Sequence, residues 1–119
     1  MKALKITSGG TTSLIDLDEA DSLSQMQAAV GGYIEILSLR EDLSMVLDEE
    51  GKLKGRPCND VAIQLTRQYA VPLQSGDFIV GDVLLIGTDS DGEEQDVPLD
   101  AVRILSELAP PLTGTGATV

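Results

Sequence analysis

The chain has 119 residues, of which 42% are hydrophobic and 3% aromatic, so it can form one domain around an aliphatic core. Twenty acidic residues against eight basic residues give a net charge of −12, and this field repels phosphate backbones and anionic lipid head groups. The absence of histidine and the single cysteine, Cys58, exclude the usual catalytic triads, the common zinc patterns and an intramolecular disulfide. We therefore expect a cytoplasmic protein with no cofactor, metal site or catalytic residue and no direct binding to nucleic acid or membranes.

The first third of the sequence predicts two strands, a helix and a third strand. "MKALKITSGG" predicts a strand that runs into a glycine-rich turn, and "TTSLIDLDE" predicts the strand that returns. "SLSQMQAAV" predicts a helix that Asp21 or Ser22 caps and that Gly31-Gly32 ends. "GYIEILSL" predicts the third strand, which carries apolar residues on both faces. The predicted buried face of the helix consists of Leu23, Met26, Ala29 and Val30.

A charged stretch, "DEEGKLKGR", follows the next apolar run and predicts the tip of a hairpin. In this interpretation "MVL" and "KLKG" are adjacent strands, and the acidic residues and glycine between them form the turn. Lys52, Lys54 and Arg56 alternate, so an extended strand would point all three to one face as a positive stripe. Such a stripe can bind a small anion, or it can pair with acids on a neighbouring strand, such as Glu35 or Asp48.

The second half of the sequence predicts two helices and a central strand. "DVAIQLTRQYAV" favours a helix capped by Asn59 or Asp60, and "PLQSGDFIVG" is typical of a loop that leads into a short strand. "DVLLIGT" is the most hydrophobic strand and predicts the centre of the sheet, "DSDGEE" predicts a turn, and "QDVPL" predicts a short extended piece. "PLDAVRILSELA" predicts a closing helix, and Pro110-Pro111 ends it.

The order of these elements favours an α+β fold with a mainly antiparallel sheet and two or three helices. We expect a single α+β domain over residues 1–109 and a flexible C-terminal tail over residues 110–119.

Two further patterns indicate chemistry only weakly. The acidic stretch from Asp89 to Asp96 has part of the spacing of a calcium loop, but it lacks the glycine at position six and the glutamate at position twelve. Arg56 and a helix start beside Cys58 could activate its thiol, whereas a lone cysteine is more often a small buried residue. An enzyme is therefore the less favoured class.

Several ordered motifs carry a resemblance to a known family. "MKAL", "GGYIEIL", "DEEGKLKG" followed by "RPCND", and "GDVLLIGTD" occur in this order and cover roughly residues 1–107. They resemble a domain of unknown function that occurs in bacteriophages, plasmids and actinobacterial and other bacterial genomes. The resemblance implies a small intracellular α+β protein of mobile elements with no established activity. It also implies a shared polar pocket, since the family's recurring residues are matched here by Gly32, Tyr33, Glu35, Glu49, Gly51, Lys52, Pro57, Asn59 and Gly81.

From these residues we predict a non-enzymatic binding protein of a mobile genetic element, a counter-defence protein that sequesters a small nucleotide-derived signal. Lys52, Lys54 and Arg56 would meet the phosphates, and Tyr33 would stack on a base. The groups that would bond to the base or ribose are Glu35, Glu49 or Asn59. If a phage encodes the protein, it acts in the cytoplasm of the host cell.

Three other interpretations stay open. The first is an acidic interaction module that imitates DNA towards a host protein, with the acids around Asp16 to Asp21 and Asp89 to Asp96 on one face. The second is a metal-assisted hydrolase with acidic ligands only. The third is a homodimer, because an exposed edge strand in a small aliphatic sheet is easily paired with its equivalent in a second copy.

Overall fold

The computed structural model describes residues 1–69, 71 and 78–108, with side chains described as far as Leu105 in the last helix. The predicted loop before Phe78 and the tail that begins with Pro110-Pro111 lie outside the described residues. In chain order the elements are β1 (Lys2–Ile6), β2 (Thr12–Asp16), a short 3₁₀ turn (Glu19–Asp21), α1 (Ser22–Val30), β3 (Ile34–Arg40), β4 (Leu43–Asp48), α2 (Asp60–Gln68), β5 (Val83–Thr88), β6 (Glu94–Gln95) and α3 (Leu99–Leu108).

The strands form one antiparallel sheet in the order β2-β1-β5-β4-β3, and β6 pairs with the end of β5. The α+β fold and its mainly antiparallel sheet are therefore confirmed, as is the central position of β5. Leu85 lies opposite Leu4 of β1 on one side and opposite Met45 of β4 on the other. No helix in the described part of the chain is long and apolar enough to cross a membrane.

The helices cover both faces of this sheet, which explains why β5 is a continuous apolar run rather than an alternating one. Val83 and Leu85 pack with residues of α2 and α3 in the larger core cluster. Leu84 and Ile86 pack with residues of α1 in the smaller cluster. All four side chains are fully buried.

Helix α1 starts after Asp21 as predicted, but the Asp21 side chain makes no capping hydrogen bond. Asn59, and not Asp60, is the N-cap of α2, because its side chain accepts a hydrogen bond from the Ala62 N–H. Helix α1 ends at Gly31, whose φ of 87° is the left-handed conformation that glycine adopts without strain. The predicted buried face of α1 is wrong at Leu23, which is 55% exposed, whereas Met26 and Val30 are buried.

The predicted hairpin between "MVL" and "KLKG" is wrong. Strand β4 already has β3 on one side and β5 on the other, so neither edge is available to the residues that follow it. Residues 49–55 instead form a series of tight turns, in which the Lys54 N–H donates to the Glu50 carbonyl at 3.1 Å and the Arg56 N–H donates to the Gly51 carbonyl at 3.2 Å. The three cations therefore do not form a stripe on one face of a strand.

Candidate functional site

A buried carboxylate organises the turns after β4. The side chain of Asp48 has no solvent exposure, and its Oδ2 accepts hydrogen bonds from Lys54 Nζ and Arg56 Nε, both at 2.9 Å. Its Oδ1 accepts the Glu50 N–H, also at 2.9 Å. A buried charge needs such partners, because desolvation without compensation is costly. The ion cluster of Asp48, Lys54 and Arg56 therefore holds the start and the end of this loop together.

The same two cations also bind the end of helix α1. Lys54 Nζ and an Arg56 Nη donate to the Gly31 carbonyl at 3.1 and 2.9 Å. This places positive charge at the negative end of the helix dipole. The close approach leaves no room for a side chain at Gly32, because a Cβ there would lie 2.5 Å from Lys54 Nζ and 2.7 Å from Oδ1 of the buried Asp48. Of the two interpretations of these cations, anion binding or pairing with a neighbouring acid, the structure shows the second for Lys54 and Arg56, and the acid is Asp48.

These contacts set the ionisation of Asp48. Burial alone would raise the pKa of its carboxyl group, but hydrogen bonds from Lys54, the Glu50 N–H and Arg56 outweigh that effect. The pKa of Asp48 lies below its ordinary value, so the carboxylate is charged at neutral pH. It acts as a structural anion and not as a proton donor.

A cavity of about 150 Å³ lies beside this cluster. It is formed where the N-terminal half of β3 meets the end of β4 and the segment from Phe78 to Val80. Its apolar lining comprises Leu37, Leu47, Phe78, Ile79 and Val80, and its polar lining comprises Glu35, Asp48, Glu49 and Lys52.

The cavity combines an apolar interior with charged groups that solvent can reach. Glu35, Glu49 and Lys52 are exposed, whereas Ile79 and Val80 are buried. Lys52 Nζ lies 5.1 Å from the centre of the Phe78 ring, within the range of a cation–π contact. A concave apolar surface with a few polar groups around it is the usual form of a small-molecule site.

Three of the seven predicted site residues meet in this cavity: Glu35, Glu49 and Lys52. Lys54 and Arg56 lie behind it in the ion cluster. Tyr33 does not line the cavity; it is 68% exposed, and its carbonyl accepts the Glu49 N–H at 2.8 Å.

Asn59 is fully buried, does not line the cavity and has a structural role. Its Nδ2 donates to the carbonyls of Ile6 and Gly81, at 3.1 and 2.8 Å, and its Oδ1 caps α2. Both amide hydrogens are thus used within the protein. Asn59 joins β1, the start of α2 and the entry to β5.

Sequence reasoning did not place Phe78 at the site. It is the only phenylalanine, it is 41% exposed, and it lies in the cavity wall beside Lys52. Its rarity, as the single phenylalanine in a chain with 3% aromatic content, is the sequence signal that could have identified it.

No group of three or more Cys, Asp or Glu side chains in the described ranges could hold a metal ion. The acidic turn after β5 forms hydrogen bonds within itself, since the Asp89 carboxylate accepts the N–H groups of Asp91 and Glu93 at 2.9 Å.

The thiol of Cys58 is exposed, so Cys58 is not a small core residue. The backbone of Cys58 forms an isolated antiparallel β-bridge with Val80.

The fold and this cavity define a small α+β protein with a recess of about 150 Å³ beside the edge strand β3. Residues 1–109 match the family described as a domain of unknown function, DUF3846, and the chain belongs to that family. No curated protein and no solved structure matches the chain.

Proposed function

We propose that this is a non-enzymatic binding protein whose ligand is a small nucleotide-derived molecule held at the cavity beside β3. The observation that carries the proposal is the meeting of Phe78, Lys52 and two glutamates around one apolar recess. Sequestration requires no catalytic group, which agrees with a sequence that lacks histidine. The sequence motifs that resemble proteins of phages and plasmids support a role in a mobile element, as a counter-defence protein that removes an immune signal.

The size and charge of the cavity suggest how such a ligand would bind. A volume of about 150 Å³ is below the usual range for a whole drug-sized ligand, so it fits one ring of the ligand. A base would pack on Phe78 and Leu37, and its amino groups would donate to Glu35 or Glu49. The phosphates would stay outside, because two exposed carboxylates, Glu35 and Glu49, line the cavity against one cation, Lys52, and the third lining carboxylate, Asp48, is already paired with Lys54 and Arg56.

In this proposal the three cations have different roles. Lys52 pairs with a phosphate at the cavity. Lys54 and Arg56 hold the loop through Asp48 and Gly31, and their exposed fractions of 36% and 32% leave an outer surface that adds a positive potential nearby. Tyr33 would stack on the part of the ligand that extends beyond the cavity.

Binding can be tested by calorimetry and by thermal unfolding with a panel of cyclic dinucleotides and adenosine-diphosphate-ribose-type nucleotides. We expect one of them to raise the unfolding midpoint. Lys52→Ala should weaken its binding by about 10-fold to 100-fold, as expected for the loss of a charge-assisted contact. Phe78→Ala should weaken it by a similar factor through the loss of stacking.

The matched control is Arg67→Ala, which removes one positive charge from the exposed side of α2, away from the cavity. This variant should bind the nucleotide as the unchanged protein does. If Arg67→Ala and Lys52→Ala weakened binding equally, the effect would be general electrostatics and not a site. If no nucleotide raised the midpoint, the proposal would be wrong.

A second candidate function is an acidic interaction module that imitates DNA, and one observation favours it. The Ser22 hydroxyl donates to the Glu94 carboxylate at 2.9 Å, which brings the acidic segment before α1 next to the acidic segment around β6. A shallow surface there is lined by Glu19, Glu93 and Glu94. Carboxylates from two distant parts of the sequence thus share one face, as imitation of a phosphate backbone requires.

This candidate is tested by competition with DNA. The protein should displace labelled DNA from a host restriction or transcription protein, and its affinity should fall steeply as salt rises. The double variant Glu93→Gln, Glu94→Gln should compete less well, while Lys52→Ala should compete as well as the unchanged protein. Competition that is insensitive to salt would contradict imitation.

A further inference from the structure

The backbone of the edge strand β3 shows which of its groups are available for pairing. The Glu49 N–H donates to the Tyr33 carbonyl at 2.8 Å, so these two residues form a hydrogen-bonded pair between β4 and β3. Antiparallel strands alternate between residues that bond to the partner strand and residues that face away from it. Counted from Tyr33, the residues that direct their N–H and C=O groups away from β4 are Ile34, Ile36 and Ser38.

These outward groups form an unprotected edge. In the described part of the chain, no strand pairs with the outer side of β3. A strand edge of this kind is a template for another strand, and proteins usually protect it with lysine, proline or a short length. Strand β3 has seven residues and contains neither lysine nor proline. Its one irregularity, between Ser38 and Arg40, lies near its end.

The two faces of this edge differ in chemistry. On the face that holds the cavity, Glu35 is exposed, and Glu49 extends the same acidic surface from the end of β4. On the opposite face, Ile36 is 53% exposed beside Ile34, which packs against the smaller core cluster. A strand that fits both faces therefore alternates between residues that match carboxylates and residues that are apolar.

The charges at this edge favour a basic partner. Among the ion pairs of the described residues, none includes Glu35 or Glu49. The base of β3 itself, Arg40, is already bound by Asp42 and Asp100. The whole chain carries −12, so its field attracts a cationic segment and repels an acidic one.

Other arrangements fit less well. Two copies of this chain repel one another through their net charge, and antiparallel pairing about Ile36 would place both Glu35 carboxylates on the same face. The opposite edge of the sheet, β2, contains a single acid, Asp16, which pairs with Lys2 at 2.6 Å. A basic segment therefore finds unneutralised carboxylates at β3 and not at β2.

We propose that β3 binds an extended basic segment of a partner protein, which adds to the sheet as an antiparallel strand with lysine or arginine beside Glu35 and an apolar residue beside Ile36. The backbone of Glu35 bonds to β4, so on the outer side Glu35 belongs to a non-hydrogen-bonded pair, in which the Cα atoms lie about 4.5 Å apart. Cross-strand side chains approach most closely in such a pair. Binding at this edge does not depend on the identity of the cavity's ligand.

The probe is a fluorescently labelled peptide that alternates lysine and valine over seven residues, the length of β3, with both ends blocked. Its matched control has the same sequence and charge but carries N-methyl groups on the amides of its valines, the residues that would bond to β3. Fluorescence anisotropy with the full-length protein should show saturable binding of the first peptide. The control should bind at least about 10-fold more weakly, because it loses its hydrogen bonds to the edge.

Two variants separate the edge from general attraction, at about 150 mM salt, which screens distant charges. Glu35→Gln should weaken binding of the peptide by about 2-fold to 5-fold, the range for one cross-strand ion pair. Glu93→Gln removes the same charge from the exposed turn after β5 and should leave binding unchanged. Equal losses in the two variants, equal binding of the two peptides, or no binding of either peptide would overturn the proposal.

Amide hydrogen exchange measured by NMR gives a readout that needs no variant. Saturation with the peptide should slow exchange at the N–H groups of Ile34, Ile36 and Ser38 and leave the amides of β2 unchanged. Unchanged exchange at these three residues would contradict binding at β3. Slow exchange that appears in the protein alone as its concentration rises would make a second copy the occupant, and the proposal would be wrong.

Discussion

At the scale of single residues, the carboxylate of Asp48 holds the loop after β4 together. Its buried carboxylate fixes two cations that themselves are about one-third exposed. Asp48→Ala should lower the free energy of unfolding by roughly 2–3 kcal/mol at pH 7, because it removes three charge-assisted hydrogen bonds. Urea unfolding measures this loss. Asp91→Asn, at an exposed turn, should change it by less than about 0.5 kcal/mol.

The pH dependence of this effect has a definite sign. The folded pKa of Asp48 is lowered, so its stabilisation is complete above the ordinary carboxyl pKa and is lost as the pH falls through the folded pKa. The stability difference between the unchanged protein and Asp48→Asn should therefore be largest near neutral pH and shrink below about pH 4. A difference that grew on acidification would show that Asp48 is not the anion of this cluster.

Asn59 provides a second test at this scale, because its amide satisfies two buried carbonyls and caps a helix at once. Asn59→Ala should cost about 2–4 kcal/mol, the sum of a lost cap and of carbonyls left without donors. Thermal and urea unfolding give the value. Asp60→Ala, one residue further on and exposed, should cost far less, and equal losses would contradict the structural role of Asn59.

At the scale of elements, Arg40 connects the end of β3 to the first turn of α3. Its guanidinium donates to both oxygens of Asp100, at 2.6 and 2.8 Å, and also binds Asp42. Hydrogen bonds to these two acids raise the pKa of Arg40, and the bond from Arg40 lowers the pKa of Asp100. The guanidinium also lies 5.7 Å from the centre of the Tyr69 ring at the end of α2.

Arg40→Lys should loosen α3 without unfolding the protein, because an ammonium group cannot bind both oxygens of Asp100 in the same way. We expect only a small loss of stability, since Asp100 is 54% exposed and solvent weakens the pair. Hydrogen exchange should show faster exchange in α3 and unchanged exchange in β5. Arg67→Lys on α2 is the control. If exchange in α3 were equally fast in this variant, the local role of Arg40 would be refuted.

At the scale of the whole molecule, the net charge of −12 opposes compaction. Raising the salt from about 10 mM to about 500 mM should increase the unfolding temperature, because screening weakens self-repulsion over the surface. Exposed pairs such as Lys2–Asp16 lose little by screening, since they contribute little. An unfolding temperature that fell with salt would mean that attractive pairs dominate the surface field.

The sequence alone determined the class of fold and the position of its central strand. Those features depend on local periodicity and on apolar runs, such as the one from Val83 to Ile86, and both are visible in the order of the residues. Glycine and asparagine at Gly31 and Asn59 likewise marked helix ends, because capping is a property of neighbouring residues.

Only the tertiary structure decided what surrounds the charged loop after β4. The sequence predicted "KLKG" as a strand, since a turn signature between two extended runs is typical of a hairpin, but β3 and β5 occupy both edges of β4. It could not show that Asp48 is buried with Lys54 and Arg56, nor that Phe78 lies beside Lys52, because these contacts join residues by packing and not by spacing. Local patterns determine the helices and strands, whereas long-range contacts decide which charges are buried and paired, as Asp48 is with Lys54 and Arg56.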